Sequence, residues 1–408
     1  EAWTTQAGEF VGNLAGYFNG NLGLDEYVFD SWSQATASTD ANIAAAGAVT
    51  VLTLDHDSKA YIDSSALINQ DTSLRSDQQD VIVKAISVNE SVHFGGNLAM
   101  PGIYWNSKTS KLELSKGGFG SDANNAVGGS ALIINYVNDV SAKIEDGVSL
   151  YADSLEVTAD NKTMNIDVAA SGGRAETFGF NGVGAWVFVD NTTTAQIESG
   201  ANLVIGNNWV DGTTDSLVVN AEDTVDSINV LGGVAVSESI GAGASVGLNT
   251  VNRKTRAVIG SLDSEDSTAA VQIKSAGDVD VKAKNNGYIG SFSLASAVST
   301  GGNGSNTTDA STADSNSFGI GVSGDVAINE ISDTTEAYLN NVEWDLDRQV
   351  ALAVSAVNES EILAIGGSVA LVLGNLNQST ASVGLAGSYG HNTISQTTLA
   401  YVEDTTMT

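Results

Sequence analysis

The sequence predicts an all-β fold: a parallel β-helix, or β-solenoid, of irregular repeat length, expected to wind right-handed. Three observations lead there. One short motif recurs six times, a second follows five of its copies, and no segment sustains a 3.6-residue apolar period.

The first motif is an Ala, any residue, then Ile, Leu or Val, at Ala60, Ala142, Ala195, Ala257, Ala337 and Ala400. In five of the six a Ser or Thr stands two places before the Ala. A catalytic site has no use for six copies of itself, so the repetition points to architecture. A Gly-rich, alternating stretch precedes each copy, as in GAGASVGLNTVNRKTRAVIG (241–260) and GVSGDVAINEISDTTEAYLN (321–340). There Val246, Leu248 and Val251 match Val326, Ile328 and Ile331, and Asn249 matches Asn329 and Asn392, always eight residues before the motif Ala. A turn is expected between this stretch and the motif, about one residue shorter in the three earlier copies.

The second motif is Val or Leu, any residue, Val, any residue, Ala: Val81-Val83-Ala85, Leu155-Val157-Ala159, Leu217-Val219-Ala221, Val279-Val281-Ala283 and Leu352-Val354-Ala356. Period-two aliphatics flanked by Asn, Asp and Gly mark a strand with one buried face. Val281 and Ala283 are therefore expected inward, Lys282 and Lys284 outward. Intervals of 36 residues, as from Ala159 to Ala195, suggest two coils of roughly 18–22 residues each. On that reading roughly 16–20 coils stack at about 4.8 Å into a rod on the order of 75–95 Å long, with small residues aligned as internal ladders.

Composition agrees with a thin core. Hydrophobic residues make up 42% of the chain, yet only 6% is aromatic, and there are 44 glycines against one proline, Pro101. The formal charge of −33, from 49 acidic and 16 basic residues, removes the clustered cations that phosphate binding needs. Nucleic acid and anionic membrane surfaces are thus not expected partners. With no cysteine there are no disulfides, thiol nucleophiles or thiolate metal sites, as suits an exported bacterial protein stabilised by backbone pairing. No apolar run is long enough to span a bilayer, so no membrane insertion is expected. The chain has neither an initiator Met nor a signal peptide, and is read as a processed protein or as part of a longer one.

The stretch GAGASVGLNTVNRKTRAVIG followed by VDVKAKNNGYIGSFSLASAVS resembles the repeat region of giant bacterial surface adhesins, the leukotoxin-like and filamentous-haemagglutinin-like β-helical exoproteins. The likeness covers roughly residues 41–403. It implies export, an extracellular or cell-surface location, an elongated stalk, and adhesion or surface assembly. It supplies no catalytic residues. The amino-terminal secretion module and carboxy-terminal membrane barrel of such proteins are not seen.

Candidate chemistry is sparse. His56, in Asp55-His56-Asp57, reads as a polar turn, and His391 takes an inward place held by Leu248 and Ile328 in earlier copies. No metal or cofactor is expected, beyond weak surface calcium at pairs such as Asp278/Asp280 or Asp345/Asp347, because hard cations want six or more oxygens. GGNGSN (301–306) lacks the Asp of the calcium nonapeptide, having Asn306 there. The alternative function is a β-helical polysaccharide lyase or hydrolase. Five arginines, thinly spread aromatics and no Asp-Asp pair speak against it.

Three parts are expected. Residues 1–40 form an aromatic-rich cap or docking segment, 41–382 the solenoid repeats, and 383–408 an incomplete final repeat. Trp3, Phe10, Tyr17, Phe18, Phe29 and Trp32 are candidate assembly contacts, docking head-to-tail on Tyr389, His391 and Tyr401 of a second copy. Tyr104, Trp105, Lys108 and Lys111, in the segment 100–120 that interrupts the repeat, form a candidate patch for a host or neighbour-cell protein or glycan. Residues 299–317 read as a flexible surface loop.

Overall fold

The computed structural model describes residues 28–34, 42–76, 78–96, 103–106, 111–114, 124–206, 216–262, 269–275, 277–299, 318–346, 351–373 and 381–408. Their regular structure is strand throughout. The first part of the chain forms β1 (Val28–Gln34), β2 (Ile43–Ile62), β3 (Leu67–Ile68), β4 (Val81–Gly96), β5 (Ile103–Asn106) and β6 (Lys111–Leu114). Next come β7 (Asn125–Ile144), β8 (Ser149–Ala152), β9 (Leu155–Ala175), β10 (Phe178–Ile197), β11 (Asn202–Ile205), β12 (Ser216–Ser237) and β13 (Ile240–Ile259). The last are β14 (Val271–Ser275), β15 (Asp278–Ser299), β16 (Phe318–Asn340), β17 (Val342–Leu346), β18 (Leu352–Val372), β19 (Ala381–Glu403) and β20 (Thr406–Met407).

All but β5 and β6 fall into three six-stranded parallel sheets. The first sheet runs β1-β4-β9-β12-β15-β18, the second β2-β7-β10-β13-β16-β19, and the third, made of short strands, β3-β8-β11-β14-β17-β20. The chain visits first, second and third sheet in turn and then repeats, which is a β-solenoid. β5 and β6 form an antiparallel hairpin inserted between β4 and β7.

The six motif alanines, Ala60 through Ala400, stand side by side in one ladder of the second sheet. The five copies of the second motif open successive strands of the first sheet in the same register. Coil length differs from the sequence expectation. Leu155, Leu217 and Val279 are lateral partners and lie 62 residues apart, so one coil takes about three times the expected length. The interval from Ala159 to Ala195 is the outward path along one long sheet and the return along the other, not two coils. Six strands at about 4.8 Å make a short stack, while each long strand extends on the order of 70 Å.

The expected turn before the first motif is likewise absent. β13 runs unbroken from Ile240 to Ile259 and pairs residue for residue with β10 and β16, with no shorter turn in the earlier copies. Period-two alternation does not announce where a strand stops, and internal Gly and Asn read as turns when they are strand residues facing a crowded interior. Genuine turns lie between the second and third sheets, where Ser65, Gly147 and Gly200 occupy the same place with φ of 61°, 66° and 78°.

Burial changes character along the coil. At the base the three sheets close around one apolar cluster, with Ile197, Leu203, Val219, Ala257, Val281 and Trp344 among its members. Val281 and Ala283 are buried there while Lys282 and Lys284 point out, as the alternation requires. Farther along, only the two long sheets face each other, and the interior narrows to Gly, Ser, Asn and Ala with scattered larger residues such as Leu132 and Leu231. Here the large side chains are outside: Val246 is 40% exposed, whereas Ser245 and Asn249 are buried. Val246, Leu248, Ile328 and His391 thus stand on the outer face, which corrects the inward placement expected for His391.

Candidate functional site

The chemistry of this chain is concentrated in the interior between the two long sheets. A run of polar side chains crosses the stack from β4 and β7 to β19 at its far edge. The Asn89 Nδ2 amide donates to Asn138 Oδ1 at 2.7 Å, and the Asn138 amide donates to Asn191 Oδ1 at 2.8 Å. The Asn191 amide donates to Asp223 Oδ2 at 3.0 Å, a carboxylate that also accepts from Asn161 at 2.8 Å and Thr193 at 3.1 Å. Arg253 comes next, with Nη1 3.6 Å from Asp223 and Nη2 2.7 Å from Asp333. The Asn358 amide donates to Asp333 at 3.0 Å, and Gln396 donates to Asn358 at 2.8 Å.

The parallel register builds this spine. Asn138, Asn191, Arg253, Asp333 and Gln396 are one ladder of the second sheet, whose first member is His56. His56 therefore lies in mid-strand and points inward, not in a turn; Asp55 and Asp57 point out. Burial raises the Asp223 carboxyl above its usual range, against the pull of Arg253 and the three donors. Burial would lower Arg253, but Asp333 and Asp223 outweigh it and hold the guanidinium firmly charged.

A second cluster surrounds His93, fully buried on β4. Its Nδ1 meets Ser31 Oγ at 2.9 Å, and its Nε2 lies 3.0 Å from both Ser91 Oγ and Tyr136 Oη. Asp167 is the lateral partner of His93 on β9 and accepts from Asn165 at 2.5 Å. Desolvation drives these groups toward neutrality, His93 down to about 4 and Asp167 up to about 7. Tyr136 is raised by burial and by Asp167 beside it.

On the outside, one groove of about 320 Å³ lies on the second sheet near the base, its lining including Lys59, Tyr61, Asp139, Lys143, Glu145 and Arg256. Lys59 is held by Asp57 at 2.7 Å, and Lys143 by Glu198 at 3.2 Å.

The residues singled out from sequence are dispersed. Trp3, Phe10, Tyr17, Phe18 and Lys108 lie outside the described residues, as does the segment 300–317. Phe29 and Trp32 fall in β1, a strand of the stack itself, paired with Ser91 and Phe94. Tyr389, His391 and Tyr401 are exposed on β19; the Tyr389 and His391 rings lie parallel at 6.4 Å, and Tyr401 stacks on Tyr338 at 4.7 Å. Tyr104 and Trp105 are on β5 and Lys111 on β6, where Trp105 pairs with Leu112 and Asn106 with Lys111. Asp278 accepts from the Ala351 amide at 2.8 Å and Asp280 is ion-paired with Lys282. Among the described residues no three His, Asp or Glu converge as a metal site.

Sequence reading missed Arg253, Asp333, His93 and Asp167. A signal was present. His93 and Asp167 each stand twelve residues after the first residue of the second motif, and Arg253 and Asp333 each four before the motif Ala, so aligned copies put both pairs on neighbouring strands. Comparison with known proteins returns no match, whether to a family model, a curated protein or a solved structure.

Proposed function

We propose that the chain is an extracellular structural or adhesive β-solenoid of a bacterial surface, a stalk or fibre-forming element without catalysis. One observation carries the reading. The ionisable groups most altered by their surroundings, His93, Asp167, Asp223 and Arg253, are buried between the sheets; His93, Asp223 and Arg253 also bond to Ser31, Asn191 and Asp333 of neighbouring coils. Perturbed groups of this kind mark catalysis when they open on a cleft. Here they form the inside of a stack.

The strand edges at either end of the described stack, β2 on one side and β19 on the other, offer backbone groups in the same parallel register. They support head-to-tail pairing with a second copy, a contact that does not close on itself and so extends. Attachment to a cell-surface protein or glycan is the other partnership proposed. Incubation with acidic and neutral polysaccharides, read by release of reducing ends, tests the reading against a carbohydrate-active enzyme. A stalk releases nothing; sustained depolymerisation overturns the proposal. Electron microscopy of the native particle should show elongated assemblies.

A further inference from the structure

The outer face of the second sheet, from the level of Phe178 to that of Trp186, is built for contact. Five successive outward ladders cross all six strands there, and none of their residues is Asp, Glu, Lys or Arg. The ladder at its base-ward border is Val51, Ile133, Trp186, Leu248, Ile328 and His391, of which Val51 is 65% and Trp186 53% exposed. At the pitch of a parallel sheet the face measures about 30 Å by 29 Å, on the order of 900 Å². Soluble monomers seldom show apolar patches beyond about 600 Å² without a use for them.

A second feature says how closely the partner comes. The middle ladder of the five is Gly47, Gly129, Gly182, Ala244, Gly324 and Gly387. None of these glycines has the positive φ that would require Gly. A Cβ at Gly324 or Gly387 would meet nothing within 4 Å, and at Gly47 only an atom at 3.9 Å. Nothing within the molecule demands glycine here, although glycine weakens a strand by about 0.5–1 kcal/mol per position. A whole ladder of strand glycines marks a bulge, a tight bend or the close approach of another backbone, and these strands pair residue for residue with no bulge.

We propose that this face binds the same face of a second copy, sheet against sheet, to give a symmetric dimer. The Gly ladder is a groove, and the ladders beside it, with Phe180 and Val127 on one side and Val246 and Val326 on the other, are ridges. Two copies related by a two-fold axis set the ridge of one in the groove of the other. The area matches the roughly 800 Å² per partner of a stable interface. The chain carries a charge of −33, and this charge-free face is where two copies meet with least repulsion. It is distinct from the strand edges. Face pairing stops at two, whereas edge pairing continues.

Sedimentation across a dilution series tests the proposal, with Gly324→Leu to fill the groove and Trp186→Lys to put charge on its border. Both positions point out, so the circular dichroism of each variant should match the parent, and at dilutions where all are monomeric neither variant should melt below it. The parent should show a monomer–dimer equilibrium, weakened at least about tenfold in each variant, a loss of about 1.4 kcal/mol. A parent that stays monomeric at every concentration overturns the idea. So does a dimer indifferent to both substitutions. Co-sedimentation of a monomeric parent with phosphatidylcholine vesicles, lost in Trp186→Lys, would assign the face to lipid instead and equally overturn it.

Discussion

Asn229 on the first sheet donates its side-chain amide across the interior to Asn249 on the second, at 2.6 Å. Asn249 in turn donates to Asn329 at 2.6 Å, and Asn329 to Asn392 at 2.8 Å. This ladder ties the two sheets together where apolar packing is thin. Removing Asn249 leaves the Asn329 Oδ1 acceptor without its donor and the Asn229 amide with Ser227 alone. Asn249→Ala should cost about 1–3 kcal/mol, and Asn392→Ala, on the exposed last strand, well under 1 kcal/mol. Urea unfolding midpoints at constant slope would measure both, and equal losses would contradict the ladder.

Arg253 is the only cation in the core spine, and it holds two buried carboxylates. Arg253→Met leaves Asp223 and Asp333 uncompensated, which should cost about 3–5 kcal/mol. Adding Asp223→Asn and Asp333→Asn to that variant should restore a large part of the loss. If the triple variant unfolds no later than Arg253→Met alone, charge is not what the site balances.

The pH dependence of stability follows from His93 and Asp167. Burial raises Asp167 to about 7 in the fold from an ordinary 3.8, so the folded state holds the extra proton. Its contribution is complete below pH 3.8 and is lost as pH rises through 7. His93 titrates near 4 against 6.5, so its contribution is present above 6.5 and is lost as pH falls through 4. Between these limits the two slopes oppose each other. Asp167→Asn removes one of them. The variant should gain a few kcal/mol relative to the parent between pH 5 and pH 8. A stability difference that stays constant over that range would show that Asp167 does not titrate there.

The base of the coil was legible in the sequence and the far half was not. Val281 and Ala283 alternate with lysines, and only one of those two faces can be inside. Val281→Asp should cost several kcal/mol, and Lys282→Ala well under 1 kcal/mol. Melting temperatures that fall equally would refute the inward assignment. The Asn249, Asn329 and Asn392 spacing also declared itself, because a ladder repeats its residue at every coil. In the far half alternation still marks two faces, but Gly, Ser and Asn stand on one and Val, Leu and Trp on the other. Burial of the small, hydrogen-bonded face between two close sheets inverts the usual assignment, which is why His391 was placed inward. Coil length was hidden for a related reason: strands of 20 to 23 residues contain the Gly and Asn that normally end a strand.

Glycines that look alike in the sequence should respond in opposite ways. Gly287 lies on β15 with φ of 119°, and a Cβ there would sit 2.1 Å from the Val225 carbonyl oxygen. The backbone geometry is strained for any other residue, and the obstruction is main chain of the adjacent coil, which cannot move without breaking the ladder. Arg253 adds to the constraint, since its Nη1 donates to the Asn286 carbonyl at 2.5 Å, one residue away. Gly232 lies on β12, where a Cβ would meet nothing within 4 Å and φ is ordinary. Gly287→Ala should therefore destabilise by several kcal/mol, through both strain and displacement of the Arg253 site. Gly232→Ala should stabilise by about 0.4–1 kcal/mol, because alanine narrows the unfolded ensemble and fits the strand. Urea denaturation of the two variants side by side checks the sign as well as the size. Stabilisation by Gly287→Ala would show that the inner backbone at this level is not packed as described.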